Sequence, residues 1–128
     1  INVQRRNRLN PLGERLVPMV TSKLQGSEGP IIAVSDWMAG VVGQINRWTP
    51  RPMSVLGTDG FGRSDTREAL RSFFEVDAAH VVVTVLNSLA RDGEISREVV
   101  ADAITTFGID PNRPDPAHPD TGATGIGR

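Results

Sequence analysis

PIIAV at residues 30–34 and MSVL at residues 53–56 decide the fold. The first run is apolar at every position from Ile31 to Val34, as suits a strand covered on both faces inside a parallel sheet. Between the two runs, Met38, Val41, Val42, Ile45 and Trp48 recur at helical spacing, so the pattern predicts a helix from Trp37 to Trp48. Ser35 or Asp36 is available as its cap, and Pro50 and Pro52 close the pattern. Strand, helix and strand in that order form a βαβ unit, whose right-handed crossover leaves the strands parallel.

Downstream lies GTDGFGRSD, residues 57–65, a loop carrying Gly57, Gly60 and Gly62. It matches neither G-x-x-x-x-G-K-[ST] nor G-x-G-x-x-G, and Phe61, Arg63 and Leu70 stand where a calcium loop would need oxygen ligands. The residues therefore predict a structural turn in which Phe61 packs inward while Asp59, Ser64 and Asp65 satisfy backbone donors. Asp65 is expected to cap the next helix, with Glu68 reaching back to the cap and Leu70, Phe73 and Phe74 forming the apolar face. Arg63, Arg67 and Arg71 should form a basic ridge, either solvated or paired across a subunit contact.

Asp77 opens a further helix with an apolar stripe from Ala78 to Leu89, ending at Gly93. Ser96 is placed to cap a last helix, which carries Val99, Val100, Ala103, Ile104 and Phe107 and stops at Gly108. His80 shares a polar stripe with Thr84, Asn87 and Arg91 and is expected to face solvent or a second subunit; His118 is expected to be solvated. Trp37 lies off the apolar stripe and suits a contact with another domain, whereas Trp48 suits the core.

The flanks differ in character. Residues 1–29 are interrupted by Pro11, Gly13, Pro18, Gly26 and Gly29 and read as a basic, linker-like segment with one short helix around Val17 to Leu24. Residues 30–109 hold the regular structure. Residues 110–128 carry four prolines and three glycines with little to bury, and are expected to be a disordered tail.

Across 128 residues, 14 Lys and Arg face 15 Asp and Glu, a net charge of -1 that does not suit a dedicated nucleic-acid binder. The basic residues Arg5, Arg6, Arg8, Arg15 and Lys23 meet only Glu14 within the first 24 positions. Without aromatic interleaving, that arm suits pairing with acidic protein surface better than with RNA. No apolar run approaches the roughly 20 residues of a membrane span. Cysteine is absent, which removes disulfides, thiolate catalysis and Cys-ligated zinc, and fits a cytoplasmic setting. The first residue is Ile1 and no signal-peptide pattern follows, so the chain reads as cut from something longer.

The string LGTDGFGRSDTRE at 56–68, followed by FFEVDAAHVVVTVLNSLARDGEI at 73–95 and VVADAITTFGID at 99–110, resembles the C-terminal domain of the homodimeric pyruvate dehydrogenase family. RNRLNP, VPMVTSKL and PIIAVSDWMAGVVGQINRW extend the likeness upstream, so that it covers about residues 5–110. The resemblance implies a transketolase C-terminal-like α/β fold, incomplete here, with parallel strands and helices packed on the sheet. It implies an enzyme that decarboxylates pyruvate on thiamine diphosphate with Mg2+ and passes the acetyl group to the lipoyl acyltransferase component.

The family's magnesium motif and activating glutamate are not in this sequence, and Thr58-Asp59-Gly60 is not that motif. Hence no catalytic, cofactor or metal residue is carried over, and the isolated chain is expected to bind no cofactor. Gly57, Asp59, Gly60, Phe61, Gly62, Arg63, Ser64 and Asp65 are taken as a structural loop of the family. The expected local role is packing on the rest of the chain and on the second subunit of a homodimer. The alternative is a free-standing, non-enzymatic α/β interaction module.

Overall fold

The computed structural model describes residues 2–118. Helix α1 spans Val3–Leu9 and α2 spans Met19–Leu24, followed by strand β1 at Ile31–Val34 and helix α3 at Ala39–Gly43. A 3-10 turn at Asn46–Trp48 leads to strand β2 at Met53–Leu56, and helices α4, α5 and α6 occupy Arg67–Phe73, Ala78–Arg91 and Arg97–Thr106. The strands pair in parallel, Ile31 opposite Met53 and Val34 opposite Leu56, and form a two-stranded sheet. This is the expected α/β arrangement in partial form. Helix α5 packs on both strands and on α6, and α3 packs on β2.

Each strand is paired on one side only among the described residues, and few side chains there are buried: Met53, Val76, Val100 and Ser88. The Ser88 hydroxyl is satisfied by donating to the Thr84 carbonyl, and lies 3.4 Å from the Ser54 hydroxyl of β2. In contrast, Trp37 is 71% exposed and Met38 59%.

The crossover helix is shorter than its periodicity predicts. Only Ala39–Gly43 is α-helical, and Asn46–Trp48 is a separate 3-10 turn. Gly40 and Gly43 weaken helix propagation and Val41 and Val42 are β-branched, so the local sequence does not sustain twelve residues of helix. Asn46 then clamps the next strand, its amide oxygen accepting the Met53 N–H at 3.1 Å. Trp48, placed in the core by sequence, is half-buried, and its carbonyl accepts the Thr21 hydroxyl.

The N-terminal segment holds two helices instead of one. Asn2 caps α1 by accepting the Arg5 N–H, and Asn7 pins the following loop by exchanging two hydrogen bonds with the backbone of Leu16. These asparagine side chains supply order that apolar periodicity does not register. None of Arg5, Arg6, Arg8, Arg15 and Lys23 forms an ion pair among the described residues.

Three helices end in the same way. After α5, Gly93 at φ 82° lets its own N–H and that of Glu94 reach back to the carbonyls of Ala90 and Leu89. Gly108 at φ 64° does the same after α6. After α4 the left-handed position is filled by Glu75 at φ 59°, and the next residue, Val76, is buried. That break matters for the stretch Arg67–Arg91, which as one run is long and apolar enough to cross a bilayer. The turn divides it into helices of 7 and 14 residues, each below the roughly 20 that a span requires.

Residues 110–118, expected as the start of a disordered tail, instead form turns that dock on α4. Arg113 donates to the Ser72 carbonyl at 3.1 Å and stacks over the Phe73 ring at 5.4 Å. The remainder of that expected tail, residues 119–128, lies outside the described residues.

Candidate functional site

The loops that leave β1 and β2 are stitched together. The Ser35 N–H reaches the Leu56 carbonyl, the Thr58 N–H reaches the Trp37 carbonyl, and the Thr58 hydroxyl donates to the Asp36 carbonyl at 2.8 Å. Gly57 is required here, because a Cβ would lie 2.4 Å from the Ala39 nitrogen and 2.6 Å from the Trp37 oxygen. Asp59 then turns its carboxylate onto the Ala39 N–H, at 3.2 and 3.4 Å from its two oxygens. The cap of α3 thus comes from twenty residues downstream. Ser35, offered by the sequence as a cap, accepts the Trp37 N–H and shapes the preceding bend.

Gly60 has φ 114°, and a Cβ there would meet the Pro116 carbonyl at 2.4 Å, so the docked segment 110–118 presses directly on the loop. Gly62 needs neither a special φ nor extra space. Phe61, expected to pack inward, is instead 85% exposed.

Asp65 does not cap α4. Its carboxylate accepts the Thr66 N–H at 2.8 Å and pairs with Arg63 at 3.6 Å, while Thr66 is the cap and accepts the Ala69 N–H at 3.2 Å. Two neighbouring oxygen side chains compete for this role, and backbone direction at residue 66 selects the threonine. Ser64 makes no hydrogen bond among the described residues. Arg63 lies over the Phe73 ring at 4.5 Å, a cation–π contact that fixes the end of the loop to α4.

Together the loop and α4 bound an open cleft of about 580 Å³ at the carboxyl ends of the two strands. Asp36 and Thr58 stand at its strand side, and Arg63, Arg67, Arg71 and Phe74 are among the residues on its helix side. In parallel α/β sheets this end is where ligands are held.

The histidines lie elsewhere. His80, expected to face solvent or a second subunit, is only 14% exposed in its side chain, and its Nδ1 sits 2.7 Å from the Asp77 carboxylate that also accepts the His80 N–H. Partial burial acts to raise the Asp77 carboxyl, but the His80 backbone, ring and charge outweigh it and hold it below its usual value. Exposed His118 stands 3.4 Å from Asp115, whose carboxyl is lowered by the Ala117 N–H and by His118.

Among the described residues, no three His, Asp or Glu side chains converge to hold a metal ion. The cleft brings the guanidinium groups of Arg63, Arg67 and Arg71 together with the carboxylates of Asp36 and Asp65.

A family model for the transketolase-like C-terminal domain matches residues 9–77. The pyruvate dehydrogenase E1 component of Cupriavidus necator is 46% identical over 115 residues, covering 90% of this chain and 13% of the relative. That of Pseudomonas aeruginosa is 48% identical over 115 residues, covering 89% and 13%. That of Mycolicibacterium smegmatis is 56% identical over 93 residues, covering 73% and 10%. The chain thus spans about an eighth or less of the length of these relatives. With the two parallel strands, the crossover between them and the Gly57–Asp65 loop all inside the matched region, the chain belongs to the transketolase-like C-terminal domain family.

Proposed function

We propose that this sequence is part of a pyruvate dehydrogenase E1 component that decarboxylates pyruvate oxidatively and transfers the acetyl group to the lipoyl group of an acyltransferase component. The observation that carries this reading is the 46–56% identity to proteins of that name across most of the chain. Thiamine diphosphate with Mg2+ would supply the carbanion chemistry, held by parts of the enzyme other than these residues. Within such an enzyme, in a cytoplasmic homodimer, this domain serves packing and subunit assembly.

The assembly role is supported by the two singly paired strands and by the apolar surface of Trp37, Met38 and Val41. The reading is tested by expressing the full reading frame that contains this sequence. Release of carbon dioxide from pyruvate should require thiamine diphosphate and Mg2+, and the acetyl group should appear on a lipoyl acceptor. A folded product inert with all of these present would favour the non-enzymatic interaction module.

A further inference from the structure

The cleft at the strand ends has a composition that packing does not use. Arg67, Leu70, Arg71 and Phe74 are spaced i, i+3, i+4 and i+7, so α4 and its cap turn one mixed basic and apolar face into it. Arg63 is already engaged, over Phe73 and with Asp65. Arg67 and Arg71 are both exposed, and their side chains make neither an ion pair nor a hydrogen bond among the described residues. Below them, Leu70, Phe74 and Val76 supply an apolar wall, and the cleft volume lies in the range of about 300–1,000 Å³ typical of small-molecule sites.

Two unpaired guanidiniums one helical turn apart match the oxygens of a phosphate or carboxylate. The adjacent apolar wall has no use for inorganic phosphate alone. Asp36, at the strand side, opposes a polyanion that would fill the whole cleft. We propose that this cleft binds a small amphipathic organic anion, with its phosphate or carboxylate on Arg67 and Arg71 and its apolar body against Leu70, Phe74 and Val76.

Calorimetric titration of the full-length protein with phenyl phosphate, 3-phenylpropionate and inorganic phosphate tests it. One of the two aromatic anions should bind at least about tenfold more tightly than inorganic phosphate, since an apolar body adds about 1.4 kcal/mol or more. Which of the two binds distinguishes a phosphate head from a carboxylate. Arg67→Ala combined with Arg71→Ala should weaken that binding at least tenfold with the melting temperature unchanged, because neither side chain holds the fold. Leu70→Ala should reduce the aromatic preference. Equal binding by the double variant and the parent protein overturns the site, as does the absence of aromatic preference. Loss of subunit association in the double variant, with anion binding unaltered, would assign the arginines to a protein contact and equally refute the proposal.

Discussion

The Asp59 carboxylate accepts the Ala39 N–H at 3.2 Å, so the loop after β2 caps the helix after β1. A five-residue helix containing two glycines has little stability of its own, and this long-range cap fixes its start. Replacing Asp59 by Ala should destabilise the protein by about 1 kcal/mol, the usual cost of a lost cap. Asp59→Asn, which keeps an acceptor oxygen, should cost less. Denaturant unfolding of the full-length protein checks both, and a neutral Asp59→Ala would mean that the contact contributes nothing.

The three loop glycines should separate sharply on substitution by alanine. At Gly57 the new Cβ would collide with backbone on the neighbouring loop, and at Gly60 both the positive φ and the Pro116 carbonyl oppose it. Each should cost more than about 1 kcal/mol. Gly62→Ala meets open space and should stay within about 0.5 kcal/mol of the parent. A ranking with Gly62 as the most sensitive would contradict the observed loop geometry.

Much of this was legible in the sequence, for identifiable reasons. The βαβ order followed from two short apolar runs, and Asp77, Gly93 and Gly108 marked helix ends through local chemistry that acts within a few residues. What escaped depended on contacts distant in sequence. The Asp59 cap spans twenty residues, Arg113 reaches back forty-one to Ser72, and Phe61 stays exposed in a loop whose neighbours Gly57 and Gly60 are hemmed in by backbone distant in sequence. The preference for Thr66 over Asp65 turns on a single backbone direction, which residue type does not encode. The cleft draws on two loops and a helix; its arginine spacing and the apolar Leu70 and Phe74 were readable in the sequence, whereas their convergence with Asp36 and Thr58 was not.

Glu75 occupies a position that glycine fills after α5 and α6. A left-handed conformation costs a residue bearing a Cβ roughly 1–2 kcal/mol. Glu75→Gly should therefore stabilise the turn between α4 and α5 by up to about 1 kcal/mol once the greater freedom of unfolded glycine is included. A rise in the denaturation midpoint is the expected reading, and a fall would show that the Glu75 side chain makes a compensating contact.

Asp77 links stability to pH. Its folded carboxyl lies below its ordinary value of 3.8, so the folded state favours the charged form. Its contribution is present in full above the unfolded value, near pH 4, and is lost as pH falls through the lowered folded value. The parent should therefore lose stability relative to Asp77→Asn as pH falls below about 4. Paired unfolding curves across that range are decisive, since a parallel acid response would remove Asp77 from the cause.

The assignment of the Gly57–Asp65 loop to packing and assembly, apart from the chemistry, is tested most directly by steady-state kinetics on Arg63→Ala and Ser64→Ala in the full-length enzyme. For molecules with the parent's dimer content and unfolding midpoint, kcat/KM for pyruvate should remain within about threefold of the parent, a change of under about 1 kcal/mol in transition-state stabilisation. A loss of about a hundredfold or more, with dimer and stability intact, would place the loop in the reaction itself.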